Sequence, residues 1–127
     1  MLDILIPLYK NENYIKDCIN SIKNQTFEDY TVYILDDGSP DNSFSIAQDI
    51  INNDPRFILK TRPNKGVSIT RQELIDMSSQ SLIMFIDSDD YLYENTTLEK
   101  MINKMQEENS DIIISTIIKK IDNKIIK

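Results

Sequence analysis

The sequence predicts an α/β domain built on an open, mostly parallel sheet flanked by helices. Three observations carry this. Short apolar runs alternate along the whole chain with segments whose apolar residues recur at helical spacing. Such alternation implies right-handed crossovers, hence parallel strands. The run Leu82 to Ile86 is continuously apolar, as suits a central strand covered on both faces, and leads straight into Asp87, Asp89 and Asp90.

Taken in order, Leu2 to Ile6 reads as the first strand, stopped by Pro7, which cannot donate in a central ladder. Glu12 to Asn24 reads as a helix with Ile15, Cys18, Ile19 and Ile22 on one face and Asn11 as its N-cap. Cys18 on that face is a small core residue rather than a nucleophile. Tyr30 to Leu35 is the second strand. Ser39 as N-cap and Pro40 at the first helical position then open a helix carrying Phe44, Ala47 and Ile51 inward. Arg56 to Thr61 is the third strand, and Pro63 to Gly66 a turn cluster before a helix over about Ser68 to Ser78. After the acidic cluster, Thr96 and Glu99 have capping-box spacing, and Leu98, Met101, Ile102 and Met105 form a helical stripe. Asp111 to Ile118 reads as a fifth strand, with a turn at Asp122 and Asn123 before Ile125 and Ile126.

Composition narrows the chemistry. With 127 residues, 40% hydrophobic and 28% charged, the chain reads as one ordinary globular domain. A net charge of -7 argues against nucleic acid or an anionic membrane surface as partner, and a polyanionic substrate would need a metal bridge. One cysteine excludes an internal disulfide, and the absence of histidine removes His-based triads and proton shuttles. No apolar run approaches membrane-spanning length and no leader pattern opens the chain, so a cytoplasmic location is expected, at most at the cytoplasmic face of a membrane.

In a parallel sheet the segments Pro7 to Glu12, Asp36 to Ser39, Asn64 to Arg71 and Asp87 to Asp90 share one rim, the default ligand crevice. That rim offers Tyr9 as a stacking face, Asp37 as an acceptor for a base edge, Lys65 and Arg71 for phosphate, and three acids that would repel one another unless a hard cation joined them. Each has a plainer alternative: a packed loop aromatic for Tyr9, turn capping for Asp36 or Asp37, a solvated charge for Lys65.

Ile4 to Tyr9, Asn24 to Phe27, Leu35 to Ser43, Asn64 to Ser68 and Phe85 to Asp90, in this order and spacing, resemble the family 2 glycosyltransferases over nearly the whole chain. The resemblance implies the GT-A fold, a nucleotide-sugar donor, usually a UDP-sugar, a divalent Mn or Mg ion, and inverting transfer to a saccharide or glycolipid acceptor. By position it assigns Pro7, Tyr9, Glu12, Asp37, Lys65, Gly66, Arg71, Asp87 and Ser88 to the nucleotide-sugar, and Asp89 with Asp90 to the metal. Lys10 stands where the family usually has Asn, and Arg71-Gln72 where it has Arg-Asn. Family members continue through an acceptor-binding half, so residues 1–127 are expected to be the donor-binding domain, with the catalytic base beyond Lys127. A donor-binding module without turnover is the alternative, its apolar C-terminal segment expected to pair in a homodimer. A receiver-like signalling domain fits less well, since Pro7 and Thr61-Arg62 stand where such domains carry their acids.

Overall fold

Leu2–Leu8 forms β1, buried along nearly its whole length and flanked on both edges by parallel partners. The computed structural model describes residues 2–80, 82–108, 119–121 and 124–126. β1 is followed by α1 (Ile15–Lys23), β2 (Tyr30–Asp36), α2 (Ser43–Ile51), β3 (Phe57–Thr61), α3 (Val67–Met77), β4 (Ile83–Phe85) and α4 (Thr97–Glu108). The main sheet has the order β3-β2-β1-β4, and every pairing in it is parallel. Lys119–Ile121 and Lys124–Ile126 form a separate antiparallel pair, β5 and β6. The fifth strand expected over 111–118 and the turn at 122–123 lie outside the described residues, and with them most of the segment expected to pair in a dimer.

Pro7 does not stop the first strand. Asp3 donates its N–H to Leu82 and Leu5 accepts from Ile86, so odd-numbered residues of β1 face β4, while Leu8 accepts from Asp37 on the β2 side. The N–H that Pro7 lacks would point toward β4, whose pairing has already ended at Leu5 opposite Phe85. A proline costs no ladder bond there.

The same alternation builds two cores. Ile4, Ile6 and Leu8 pack with Ile15, Cys18, Ile19 and Ile22 of α1, Ala47 and Ile51 of α2, and Leu98 of α4. Leu5 and Leu35 point to the other face, against Leu74 of α3. Met84 joins the larger core, but Ile83 and Phe85, on the α3 face, remain 37% exposed. Among the described residues β4 is three residues long and pairs with β1, and the fifth strand expected over 111–118 lies outside them.

Helix starts were the least legible feature. α1 begins at Ile15 rather than Glu12, and the Asn11 side chain does not cap it. α2 begins at Ser43, not after Ser39, with Asn42 at its N-cap position, and Asp41 braces the preceding turn by accepting from the Ser43 N–H at 3.1 Å and hydroxyl at 2.6 Å. This places Ser43, Ala47 and Ile51 inward and leaves Phe44 only half-buried. The Thr96 and Glu99 capping box is not formed either, since Glu99 accepts from the Thr26 hydroxyl at 2.7 Å.

Candidate functional site

Because the four described strands of the main sheet are all parallel, the loops that follow them emerge at one rim. There they enclose a cleft of about 420 Å³ lined by Pro7, Leu8, Tyr9 and Asn11 after β1, Asp37 after β2, Asn64, Gly66, Val67, Thr70 and Arg71 around the start of α3, and Asp87, Ser88 and Asp89 after β4. Of the residues singled out in the sequence, Pro7, Tyr9, Asp37, Gly66, Arg71, Asp87, Ser88 and Asp89 thus share one cavity. Glu12 and Lys65 do not line it. Glu12 accepts from the Asn42 N–H at 3.0 Å, and the Lys65 ammonium reaches Glu73 at 3.4 Å.

At the acidic end, carboxylate oxygens of Asp87, Asp89 and Asp90 lie within 4.8 Å of one another. Oxygens bound to a common cation at roughly 2.0–2.6 Å can be about 4–5 Å apart, so this all-oxygen set fits magnesium, manganese or calcium. Asp90 is buried beneath the two that line the cleft. Ser88, also buried, accepts a hydrogen bond from the Asn11 amide, whose own backbone N–H donates to Ser43 at 2.9 Å. The acidic loop is thereby tied to the loop after β1. Beneath it, the Cys18 thiol lies 3.8 Å from the Asp87 carbonyl, and burial, reinforced by Asp90, Asp89 and Asp87, pushes its pKa up to about 12. Such a thiol is no nucleophile at neutral pH.

Arg71 reaches Asp87 at 3.5 Å with both side chains about half exposed. A pair that open contributes little stability and leaves the guanidinium free to turn toward an anion.

Asp37 departs most from expectation. Its Oδ1 accepts from the Lys65 N–H at 2.8 Å and from Arg62, and its Oδ2 from the Asn64 amide at 3.0 Å and the Gly66 N–H at 3.1 Å. Four donors occupy the roughly four lone-pair sites of a carboxylate, leaving none for a base edge. Burial pushes its pKa up, but the Lys65 N–H and the Arg62 guanidinium outweigh this and hold the group below the usual carboxylate range. Asp37 is the hub of the 62–66 loop. Arg62 also pairs with Glu73 and donates to Thr70 at 3.0 Å, linking that loop to α3. Sequence reading missed Arg62, Thr70 and Glu73. Glu73 and Arg62 are eleven residues apart, and only the turn from β3 into α3 brings them together.

Two backbone conformations shape the rim. Gly38 has φ +68°, and a Cβ there would meet the Asn64 nitrogen at 2.7 Å, so the β2 loop can approach the 62–66 loop only with glycine. Lys10 has φ +51°, a left-handed conformation unusual for lysine and readily taken by Asn.

The sequence model described as "Glycosyl transferase family 2" matches residues 3–125. The chain belongs to this family. It is 34% identical over 113 residues to the putative glycosyltransferase EpsH of Bacillus subtilis, covering 89% of this chain and 32% of that protein. It is 36% identical over 92 residues to the chondroitin synthase of Pasteurella multocida, covering 72% of this chain and 10% of that protein. The chain thus spans a third or less of these relatives. Among solved structures, S. aureus TarS residues 1–349 in complex with UDP-GlcNAc superimposes with a TM-score of 0.78 at 25% identity, over 85% of this chain and 32% of that one. A Pyrobaculum calidifontis mannosyltransferase in complex with GDP-Man and Mn2+ gives 0.74 at 16% identity, over 82% and 32%, a likeness of fold alone. The architecture is the GT-A fold, and the family resemblance read from the sequence holds, which disposes of the receiver-domain alternative.

Proposed function

We propose that residues 1–127 form the nucleotide-sugar-binding portion of an inverting glycosyltransferase that takes a UDP-sugar with a divalent cation and serves a saccharide or glycolipid acceptor. The observation that carries this reading is the gathering at one cleft of Asp87 and Asp89, with Asp90 buried beneath them, an open arginine and a half-exposed tyrosine. The UDP-GlcNAc complex of TarS supports a uridine donor, and the name of the Pasteurella synthase supports a saccharide acceptor.

In this reading Asp89 and Asp90, with Asp87 beside them, would hold the cation, which supplies Lewis-acid neutralisation of the charge that builds on the diphosphate as the glycosidic bond breaks. Arg71 leaves its weak pair with Asp87 and donates to a phosphate oxygen. Tyr9, 43% exposed, offers its face to the base. Pro7 and Gly66 keep the backbone close on either side, and Ser88 holds the acidic loop in register through Asn11. Asp37 serves the base end by fixing the Lys65 and Gly66 backbone rather than by accepting from the base. No cleft residue is assigned as the base that takes the acceptor proton, since the acids that would hold the cation sit on the leaving-group side. Isothermal titration of UDP and UDP-sugars in manganese and in chelator tests the assignment. Binding should be markedly tighter with manganese, and equal affinities would refute it. A sugar-transfer assay then separates a transferase from a donor-binding module without turnover.

A further inference from the structure

A second cleft, of about 410 Å³, lies between α1 and the segment that follows the acidic cluster. Its floor is built rather than accidental. The Gln25 side chain is 4% exposed, donates to the carbonyls of Ser21 (3.0 Å) and Glu94 (2.7 Å), and accepts from the Leu98 N–H at 3.1 Å. The far wall is pinned where the Leu92 N–H meets the Ser21 hydroxyl at 3.0 Å and the Thr26 N–H meets the Asn95 carbonyl at 2.8 Å. A groove held at both walls costs little to order when a ligand enters.

Its polar lining is uncommitted. The side chains of Asp17, Asn20, Asn24, Tyr91, Tyr93 and Asn95 border this cleft, and none makes a hydrogen bond to another described residue. Amides offer paired donors and acceptors, a carboxylate accepts two hydroxyls, and tyrosine joins an apolar ring face to a polar tip. That combination matches a sugar ring, which has a C–H face rimmed by hydroxyls. Among the described residues no lysine or arginine borders the groove, and Asp17 repels anions, so phosphates and uronates are disfavoured.

We propose that this groove is a binding subsite for a neutral glycan. Tyr91 directly follows Asp90, and from Cys18, under the acidic loop, to Asn24, on the groove, is about 9 Å along the helix axis at roughly 1.5 Å per residue. A glycan seated there is held beside the acidic loop but outside the donor cleft. The glycan's role as acceptor or growing product rests on the transferase reading, whereas its binding does not.

The test is heteronuclear NMR titration of the protein with maltotetraose, cellotetraose and chitotetraose, following the Asn20, Asn24 and Asn95 side-chain amides, with UDP and manganese titrated separately. At least one glycan should give saturable shifts in the millimolar range, weakened about tenfold by Tyr93→Ala and by Asn24→Ala, with UDP affinity unchanged. Both positions are exposed, so neither substitution threatens folding. Absence of saturable shifts with all three glycans, or shifts indifferent to both substitutions, would overturn the proposal. Failed UDP binding beside intact glycan binding would instead strike the donor reading.

Discussion

Replacing Asp37 by Asn should unlock the base end of the cleft. Whichever way the new amide turns, its NH2 group faces two donors: the Lys65 N–H and Arg62 at one oxygen position, or the Gly66 N–H and the Asn64 amide at the other. A buried donor left without an acceptor costs about 1–3 kcal/mol. Arg62 keeps Glu73 and Asn64 reaches solvent, so the lower half of the summed range applies, about 3 kcal/mol. For a chain of this size that is a fall in Tm of roughly 10 °C. Urea unfolding of both proteins at neutral pH measures it. Since the folded pKa of Asp37 is depressed, its contribution is full above the ordinary carboxylate value and lost as pH falls through the folded one. The two proteins should therefore converge in acid. Uridine affinity should fall with stability, while manganese binding at the separate acidic loop should persist. A neutral-pH loss below about 1 kcal/mol, or one independent of pH, would refute the account of Asp37 as a loop hub.

Gly38→Ala should destabilise by more than the roughly 1–2 kcal/mol of left-handed strain alone, because its Cβ would also strike the Asn64 backbone, and a thermal scan reads the loss. Lys10→Asn should do the opposite, gaining up to about 1 kcal/mol in the same scan by placing a residue tolerant of φ +51° there. Cys18 makes stability sensitive to alkali. The folded thiol keeps its proton up to about pH 12, whereas the unfolded one loses it near 9.0, so stability should fall as pH rises through that interval. The loss should be on the order of 1 kcal/mol at roughly pH 10, and should be absent in Cys18→Ala when the urea midpoints of the two proteins are compared.

The strand alternation, the parallel sheet and the shared rim were legible because they rest on periodicity, which a single sequence displays directly. Helix starts were not. Ser39 does not open α2 because it is drawn to Asp36, where its hydroxyl donates at 2.5 Å. Pro7 misled because its effect depends on which edge its missing N–H faces. The acids at 87, 89 and 90 were readable as a cluster, being local in the chain. The commitment of Asp37 was not, since its four donors come from the far end of a βα connection and their convergence is set by strand pairing.

The central claim is that the carboxylates after β4 couple a cation to a diphosphate. A thermodynamic cycle measures this most directly, with UDP affinity determined by calorimetry for the native protein and for Asp89→Asn, each in manganese and in chelator. A bare diphosphate beside these acids is opposed by about 1 kcal/mol per charge pair at 4 Å in water and roughly 4 kcal/mol at an effective dielectric of 20. The account therefore predicts that manganese tightens UDP binding to the native protein, and that Asp89→Asn removes most of that gain while leaving metal-free affinity equal or higher. Full manganese enhancement in Asp89→Asn would contradict it.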